Sequence, residues 1–576
     1  MVDAVCWPTY MEGKAQAMSH LPRQFDYIVI GAGSAGSIVA SRLSENPRNQ
    51  VLLVEAGPED RSLWSRIPLG FAKIIFNHKY TSWDCQTEPE QQLKGRRYAL
   101  PYGRLVGGSS AINGLVHVRG TKSDYQAWAD AGAEGWGWDE VLPFHKRYEA
   151  DHRGDSPVHN GRGPIGIERA RWRNPLADAY IDAASRTLGT RKHVDFNSGE
   201  PEGSGYWDLA TRKGIRSSTS QTILKDARRR DNLTVLSDAT VTRINFDGKR
   251  AVGITYRKDR QELQVRASRE IVLSAGALRT PQLLQLSGIG PAGLLKEHGI
   301  EVVHELKGVG ENLIDHVQVG RKYVTTSKYT FNKVMRNPLQ QGLNGIRYFA
   351  GDRSGPLTIG ASLAGSYVKT DPSVEDPDLQ LHFLPFMPGD KGWDLADFSG
   401  FRLGMYQGRP KSRGYARITS ADPADSPEFV FNHLAEEEDR QVLMAGMRMA
   451  QKIAAAMPQE LGVKEIAPGP AGDSDEGLLD YIRDNADTAF HYAGTARMGR
   501  DPMSVVDPQL RVHGVDGLRV VDASVMPGEL TANIHAAVLM IGERGADFIN
   551  QSRTPGTEST VTLAAQTAST GPDSLD

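Results

Sequence analysis

Residues 25–57 read FDYIVIGAGSAGSIVASRLSENPRNQVLLVEAG, and this stretch decides the fold of the N-terminal part of the chain. The apolar run at residues 27–30 (YIVI) predicts a buried strand, and the glycine-rich turn after it leads into a segment typical of a helix. A second apolar run, residues 51–54 (VLLV), ends in Glu55, which lies 19 residues after Gly36. Strand, glycine turn, helix, strand and acid in this order are typical of the βαβ unit that binds a dinucleotide.

Each glycine of the turn has a separate physical task. Gly31 permits the tight turn, Gly33 lets the backbone approach a pyrophosphate, and Gly36 lets the helix pack closely on the strand. The helix N-terminus offers free N–H groups to the phosphates, and Glu55 can accept hydrogen bonds from ribose hydroxyls. The predicted contacts of this unit are Gly31, Gly33, Ser34, Ala35, Gly36, Glu55 and Ala56. The motif alone leaves open whether the other half of the cofactor is a nicotinamide or a flavin.

Composition narrows the class of protein. The 576 residues carry 67 Lys and Arg against 70 Asp and Glu, so the net charge is −3, which gives no reason to expect nucleic acid as a partner. Two cysteines, Cys6 and Cys85, give no disulfide framework and no metal cluster. The sequence shows no transmembrane stretch and no signal-peptide layout. We therefore expect a cytoplasmic protein without a metal site.

Two further glycine-rich segments have the character of ligand-contacting loops. Residues 103–114 read GRLVGGSSAING, and residues 274–290 read SAGALRTPQLLQLSGIG. Glycines and small hydroxyl residues let a backbone lie flat against a ligand and offer N–H and O–H donors. Taken alone, the first segment is equally consistent with an irregular surface loop, and the second with a purely structural strand-to-helix turn.

A fourth constellation lies near the C-terminus. Residues 489–499 read AFHYAGTARMG, residues 522–527 read DASVMP, and residues 533–535 read NIH. A single histidine in such a segment is usually a surface or core residue.

Together these segments resemble the glucose–methanol–choline (GMC) oxidoreductase family, which binds FAD. The resemblance covers residues 25–550, departs from the family pattern at His117, and is strongest to the choline-dehydrogenase-like branch, through RLVGGSSAINGLVHVRG (104–120) and GENLIDH (310–316). It implies an α/β chain, α+β overall, in which a Rossmann-type FAD-binding domain is interleaved with a substrate-binding domain built on a mainly antiparallel sheet with helices.

The sequence also suggests domain limits. We expect an N-terminal extension at 1–22, an FAD-binding domain over 23–150, 206–318 and 485–550 with a lid-like segment near 58–95, a substrate-binding domain over 151–205 and 319–484, and a disordered tail at 551–576. The tail is rich in Ser, Thr, Ala and Gly and lacks apolar periodicity.

The resemblance assigns the chemistry to two residues. In the family, the residue matching His491 faces the flavin N5 and pairs with a residue that matches Asn533. A histidine can accept a hydroxyl proton near neutral pH, because its unperturbed pKa is about 6.5; Asn533 would orient the oxygen while the hydride passes to flavin N5. The implied further FAD contacts are Arg104, Val106, Gly108, Ser109, Asn113, Gly114, Leu115, Val116, Val241, Asp522, Ala523, Asn533, Ile534 and His535.

Two matched positions bear on cofactor attachment and substrate. Ile112 stands where some relatives carry the histidine that tethers FAD, which predicts non-covalent FAD.

Leu363 stands where choline-oxidising relatives carry a glutamate, and leucine offers no carboxylate or aromatic cage to a quaternary ammonium. We therefore expect an uncharged primary alcohol, aliphatic or aromatic, rather than choline. Besides Leu363, the candidate pocket residues are Phe383, Phe386, Met387 and Phe490, each of which is at least as well explained as a core residue.

Other functions stay open at this point. The dinucleotide-binding motif at residues 25–57 alone permits a NAD-dependent dehydrogenase, although the other three segments do not fit one. Choline or a sugar or polyol is an alternative substrate, and a hydroxynitrile lyase or photodecarboxylase is an alternative of another reaction class within the family. The electron acceptor, O₂ or a quinone or redox protein, cannot be identified from the sequence. The choline-dehydrogenase-like character of the sequence slightly favours a dehydrogenase over an oxidase. Oligomeric state is not readable either.

Overall fold

The structure, a computed structural model, describes residues 22–76, 81, 85–389 and 395–552. Apart from Pro22, Gln551 and Ser552, the predicted N-terminal extension and C-terminal tail lie outside these residues. The strands, in chain order, are β1 Gln24–Ile30, β2 Val51–Val54, β3 Glu149–Asp151, β4 Ile165–Arg169, β5 Gly203–Tyr206, β6 Asp208–Leu209, β7 Thr211–Arg212, β8 Ile215–Arg216, β9 Leu233–Leu236, β10 Thr240–Asp247, β11 Arg250–Lys258, β12 Gln261–Leu273, β13 Ile289–Gly290, β14 His304–Glu305, β15 Glu311–Leu313, β16 Val317–Val324, β17 Ala364–Val368, β18 Leu379–Leu384, β19 Gly400–Gln407, β20 Gly414–Arg417, β21 Glu428–Val430, β22 Lys464–Ala467, β23 Asp487–Thr488 and β24 Leu518–Val520.

The α-helices connect and cover these strands. In chain order they are α1 Ser34–Leu43, α2 Phe71–Ile74, α3 Lys122–Asp130, α4 Trp138–Tyr148, α5 Pro175–Leu188, α6 Ile223–Ala227, α7 Thr280–Leu286, α8 Ala292–Glu297, α9 Phe331–Arg336, α10 Pro338–Phe349, α11 Glu437–Ala455, α12 Asp475–Asn485 and α13 His535–Gln551. No helix in the described part of the chain is long and apolar enough to cross a membrane.

The first large sheet is the predicted Rossmann-type layer. Its strands run in the order β10-β11-β12-β1-β2-β9, and β24 pairs with β12. Strands β9, β2, β1, β12 and β24 pair in parallel, while β10 and β11 extend the sheet as an antiparallel ribbon. Every residue of β2 is buried, as expected for a strand covered on both faces. Helix α13, from the far end of the sequence, packs on α1 beside this sheet.

The second large sheet is antiparallel. Its order is β22-β16-β19-β18-β17-β5, and β23 pairs with β16. Helices α5 and α11 pack on it. Both parts of the fold prediction are therefore confirmed: a Rossmann-type sheet and a mainly antiparallel sheet with helices.

Chain segments from distant parts of the sequence alternate between the two sheets. The predicted limit at residue 318 falls inside β16, and β23 belongs to the second sheet although it lies in a piece assigned to FAD binding. The domain limits and the lid-like role of residues 58–95 stay predictions.

Candidate active site and cofactor cleft

One cavity of about 580 Å³ touches both large sheets. On one side its wall is formed by the residues that follow the carboxyl ends of β1, β2, β12 and β24, where α/β sheets bind their ligands. On the other side it is formed by residues of β18 and β19 and by the loops that carry His491 and Asn533. The cavity therefore extends from the dinucleotide-binding turn after β1 to the predicted catalytic residues His491 and Asn533.

The glycine turn after β1 is shaped for close backbone approach. Gly31 has φ +97°, and a Cβ there would lie 2.3 Å from the carbonyl oxygen of Ser274. A Cβ on Gly108 would lie 2.7 Å from the Cα of Gly33. Helix α1 begins after Gly33 without a side-chain cap. Its first N–H groups therefore have no capping side chain, and they border the cavity where a pyrophosphate would bind.

Glu55 ties the second strand to this turn. Its Oε2 accepts a hydrogen bond from the Ala32 amide at 2.9 Å, and its Oε1 accepts one from the Gly57 amide at 2.9 Å. Burial raises the pKa of Glu55 to about 7, against the opposing effect of these amides. Each carboxylate oxygen keeps a second lone pair, so the side chain can still accept from a ribose hydroxyl.

The loop at 103–114 packs against the glycine turn, because the Gly107 amide donates to the Ala32 carbonyl oxygen at 2.7 Å. Residues Gly108–Ala111 form a 3-10 turn, and Asn113 Oδ1 accepts a hydrogen bond from the buried Arg216 at 2.7 Å. Ile112, at the predicted tether position, belongs to the cavity wall. The loop thus offers backbone and amide groups to a ligand from a fixed position.

Most of the predicted cofactor contacts border the cavity, and two do not. Gly36 packs under the turn, where a Cβ would lie 2.0 Å from the carbonyl oxygen of Gly31. It therefore brings helix and strand together, as the motif requires, and does not contact the ligand space. Val106 is only 1% exposed and lies in the hydrophobic core. Val106 does not belong to the cavity wall.

His491 and Asn533 meet at the other end of the cavity. The Asn533 amide nitrogen lies 3.1 Å from His491 Nε2, and both residues border the cavity. The His491 backbone N–H donates to the buried Asp315 carboxyl at 2.8 Å. Asn533 directly precedes the N-terminal part of α13, which is held by its packing on α1.

A third residue, His316, fixes the proton on His491. His316 Nε2 lies 2.9 Å from two carbonyl oxygens, those of Gly408 and Leu530. Carbonyls only accept, so this nitrogen carries the proton. Burial lowers the pKa of His316 to about 4, so the ring is neutral and its Nδ1 is an acceptor. His491 Nδ1, 2.8 Å away, must then donate, which leaves a lone pair on His491 Nε2 towards the cavity.

The amide of Asn533 is oriented from behind by two further side chains. Gln380 Nε2 donates to Asn533 Oδ1 at 3.3 Å, and the Tyr406 hydroxyl donates to Gln380 Oε1. Asn533 therefore presents its N–H donors to His491 Nε2 and to the cavity. This direction agrees with the lone pair that the His316 contact places on His491.

Burial keeps the histidines at this end of the cavity uncharged. Burial, reinforced by the rings of His316 and His382, holds the pKa of His491 well below its usual range. Burial also lowers the pKa of His535 to about 4. Both ring nitrogens of His535 are buried without a hydrogen-bond partner among the described residues. A ligand with polar atoms would satisfy them, and the heterocycle of a flavin has such atoms.

Three residues of the predicted substrate pocket do not border the cavity. Leu363 and Phe383 are buried in the core and do not border the cavity, and Met387 is likewise a core residue. Strand side chains alternate between faces, so Phe383 stacks on Tyr180 while its neighbours in β18 reach the cavity. The cavity wall includes Phe386 and Phe490 from the predicted set, and also Ser362, His382, Leu384, Arg402 and Tyr406, which sequence reasoning missed.

Sequence reasoning also missed the role of His316. It lies in the quoted segment GENLIDH, directly before β16, and the Asp-His pair was the available signal. Strand β16 pairs with β23, with Val317 opposite Thr488. That pairing brings His316 beside His491.

Known proteins resemble the chain over most of its length. The GMC oxidoreductase family model matches residues 25–318 and 410–542. The chain is 39% identical over 529 residues to the alcohol dehydrogenase (acceptor) of Pseudomonas putida, covering 91% of this chain and 95% of that protein. It is 39% identical over 538 residues to the oxygen-dependent choline dehydrogenase of Escherichia coli strain K12, covering 91% and 95%.

A solved structure also resembles the chain over most of its length. The crystal structure of pyridoxine 4-oxidase from Mesorbium loti superposes with a TM-score of 0.82 at 32% identity, covering 92% of this chain and 99% of that one. The glycine turn and the loop at 103–114, which pack against each other at the cavity wall, fit the FAD that this family binds. The chain belongs to the GMC oxidoreductase family, with a choline-dehydrogenase-like sequence, and is an FAD-dependent oxidoreductase that acts on CH–OH groups.

Proposed function

We propose that this enzyme oxidises an uncharged primary alcohol, aliphatic or aromatic, to the aldehyde, with His491 as the base and Asn533 as the residue that orients the oxygen. The observation that carries the proposal is the relay from His316 through His491 to Asn533, which ends in the cavity. It provides an unprotonated nitrogen and an amide donor side by side.

The cofactor's place is supported by the cavity wall. The glycine turn and the N-terminus of α1 would hold the pyrophosphate, Glu55 the ribose, and His535 would face the flavin end. When bound, FAD supplies an acceptor for two electrons at the alcohol carbon.

Side chains of the protein accept the hydroxyl proton and stabilise the oxygen that it leaves. His316 holds the ring's own proton on Nδ1, so His491 Nε2 accepts the hydroxyl proton once the alcohol replaces the Asn533 amide as the hydrogen-bond partner of that nitrogen. The amide of Asn533 donates to the alcohol oxygen and stabilises the negative charge that develops there. A positioned base of this kind is worth about 10²–10⁴ in rate.

The wall around the reacting end supports an uncharged substrate. Phe386, Phe490 and Leu384 give it an apolar surface. Because Leu363 lies in the core, the argument against choline no longer rests on that position but on this apolar wall. Asp487 is a carboxylate that also borders the cavity, and choline therefore belongs in the substrate panel.

The test is anaerobic reduction of the flavin. Purified enzyme is mixed with aliphatic alcohols, aromatic alcohols, a sugar and choline, and the flavin absorbance is followed. We expect bleaching by an uncharged primary alcohol and little by choline. Fastest bleaching by choline would overturn the substrate assignment, and no bleaching by any alcohol would favour a lyase-type reaction. Peroxide formation during aerobic turnover separates an oxidase from the dehydrogenase that we slightly favour.

Non-covalent attachment is part of the proposal. The cavity residue at the tether position is Ile112, whose side chain has no atom able to bond to a flavin. We expect acid precipitation to release all yellow colour into the supernatant. Colour that stays with the pellet would contradict this.

A further inference from the structure

Helix α10 carries an apolar face that is open to solvent. Leu339 is 70% exposed, Leu343 52%, Ile346 65% and Phe349 60%. These positions are spaced by four, three and three residues, so their side chains lie along one face of the helix. A contiguous row of large apolar side chains on a surface marks an interaction site.

A second exposed apolar group lies on a neighbouring segment. Leu63 is 56% exposed, and Trp64 and Phe76 are each 47% exposed. This segment contains the 3-10 turn Pro68–Gly70, which packs on the turn Pro356–Thr358, and that turn packs on α10. Phe76 also borders the cofactor cavity. The two apolar groups therefore lie on adjoining elements near the cavity.

The charges of both segments have one sign. Residues 61–76 contain Arg61, Arg66 and Lys73 and no Asp or Glu. Residues 328–351 contain Lys328, Lys333, Arg336 and Arg347 and again no Asp or Glu. All seven of these cationic residues are exposed. For a chain whose net charge is −3, this is a local concentration of positive charge around the apolar side chains.

A cleft beside α10 adds further positive charge. It has a volume of about 670 Å³, and its wall includes Arg169, Arg171, Arg173 and Arg347. Glu168, the acid in this wall, has one carboxylate oxygen engaged by the Gly214 amide at 2.6 Å. Arg173 is exposed, and its guanidinium lies over the Tyr206 ring at 4.8 Å. Guanidinium groups in this arrangement suit phosphate oxygens.

We infer that this face docks on an anionic phospholipid bilayer. Helix α10 would lie in the plane of the interface with its apolar side chains among the acyl chains, and the arginines of the cleft would bind lipid phosphates. An amphipathic helix with basic flanks binds membranes through both contributions. A second copy of this chain is a poorer occupant, because two faces of the same positive sign would repel each other.

The test is co-sedimentation of the FAD-loaded enzyme with vesicles. One set contains phosphatidylcholine alone, and the other contains phosphatidylcholine mixed with phosphatidylglycerol. The docking variant is Leu343→Glu with Ile346→Glu. Its matched control is Leu263→Glu with Ile466→Glu, at apolar positions that are 37% and 45% exposed on strands elsewhere. Flavin absorbance and thermal unfolding show whether each variant is folded.

We expect wild type and control to bind the anionic vesicles, with binding weakened by salt, and the docking variant to bind at least about tenfold less. Equal binding by wild type and docking variant would overturn the proposal. So would failure of wild type to bind anionic vesicles at low salt. If the docking variant instead only dissociates an oligomer in sedimentation velocity, the face pairs two copies and the bilayer assignment is wrong.

Discussion

At the scale of single residues, the site depends on where one proton sits. The two carbonyl oxygens around His316 Nε2 determine the tautomer of His316, and through it the tautomer of His491. His491 and Asn533 were predictable because they stand in a motif. His316 acts through His491, which is 175 residues away in the chain. The spacing of the two residues in the sequence does not show which ring nitrogens face each other.

Replacing His491 with alanine tests the base. We expect the rate of flavin reduction by alcohol to fall by at least about 10², with FAD still bound. In the wild type the pKa of His491 is lowered, so the base is already unprotonated near pH 7. The rate should therefore stay flat as the pH rises above about 6.5 and fall only in more acidic solution. A His298→Ala variant serves as the control. An unchanged rate for His491→Ala would contradict the assignment of His491 as the base.

Replacing His316 with phenylalanine tests its positioning role. The ring stays aromatic and buried, but His491 Nδ1–H loses its acceptor, so the second tautomer becomes populated. We expect the reduction rate to fall roughly tenfold and the ¹⁵N signals of His491 to move from a single tautomer towards a mixture. Tyr323→Phe, a buried aromatic in β16, is the control. Unchanged ¹⁵N signals would show that His316 does not set the tautomer.

At the scale of elements, the cofactor cleft depends on two glycine loops that face each other. The turn after β1 was predicted in detail, because its spacing is set by local backbone geometry. The closeness of Gly108 to Gly33 was not, because it joins two loops 75 positions apart. The same limit applies to Phe383, because neighbouring side chains of a strand lie on opposite faces and only the packed sheet decides which face reaches the cavity.

Gly108→Ala tests the contact between the two loops. Gly108 has φ +51°, and its Cβ would lie 2.7 Å from the Gly33 Cα, so the loops must separate. Gly95→Ala is the matched control, because Gly95 has φ +73° and nothing within 4 Å of its Cβ position. We expect the control to cost on the order of 1 kcal/mol of stability and to keep its FAD. Gly108→Ala should lose FAD on gel filtration, and tight retention would contradict the proposed cofactor site.

At the scale of the whole molecule, the cavity is shared by both large sheets. Residues of the first sheet's loops and of β18 and β19 all belong to its wall. A ligand bound there contacts pieces of chain that are far apart in sequence. Binding should therefore stabilise both sheets together.

Hydrogen exchange with and without FAD tests this coupling. At a free FAD concentration of about 100 Kd, binding should add about 2.7 kcal/mol to the free energy of unfolding. We expect slower exchange in peptides from β1 to α1 and also in peptides from β18 and β19. The exposed helix α10, which does not border the cavity, is the internal control. Protection confined to the first sheet would show that the second sheet does not share the cofactor site.

The sequence by itself determined the family, the cofactor, the two-sheet architecture and the pair His491 and Asn533. The family resemblance rests on short motifs, in which residue type and spacing fix local backbone geometry, and the cofactor, the architecture and the residue pair are what that resemblance implies. Only the tertiary structure decided which strand faces reach the cavity, that His316 sets the proton on His491, and that α10 presents an apolar face within a basic surface. Such features depend on contacts between residues far apart in the chain, and those contacts exist only once both sheets have packed.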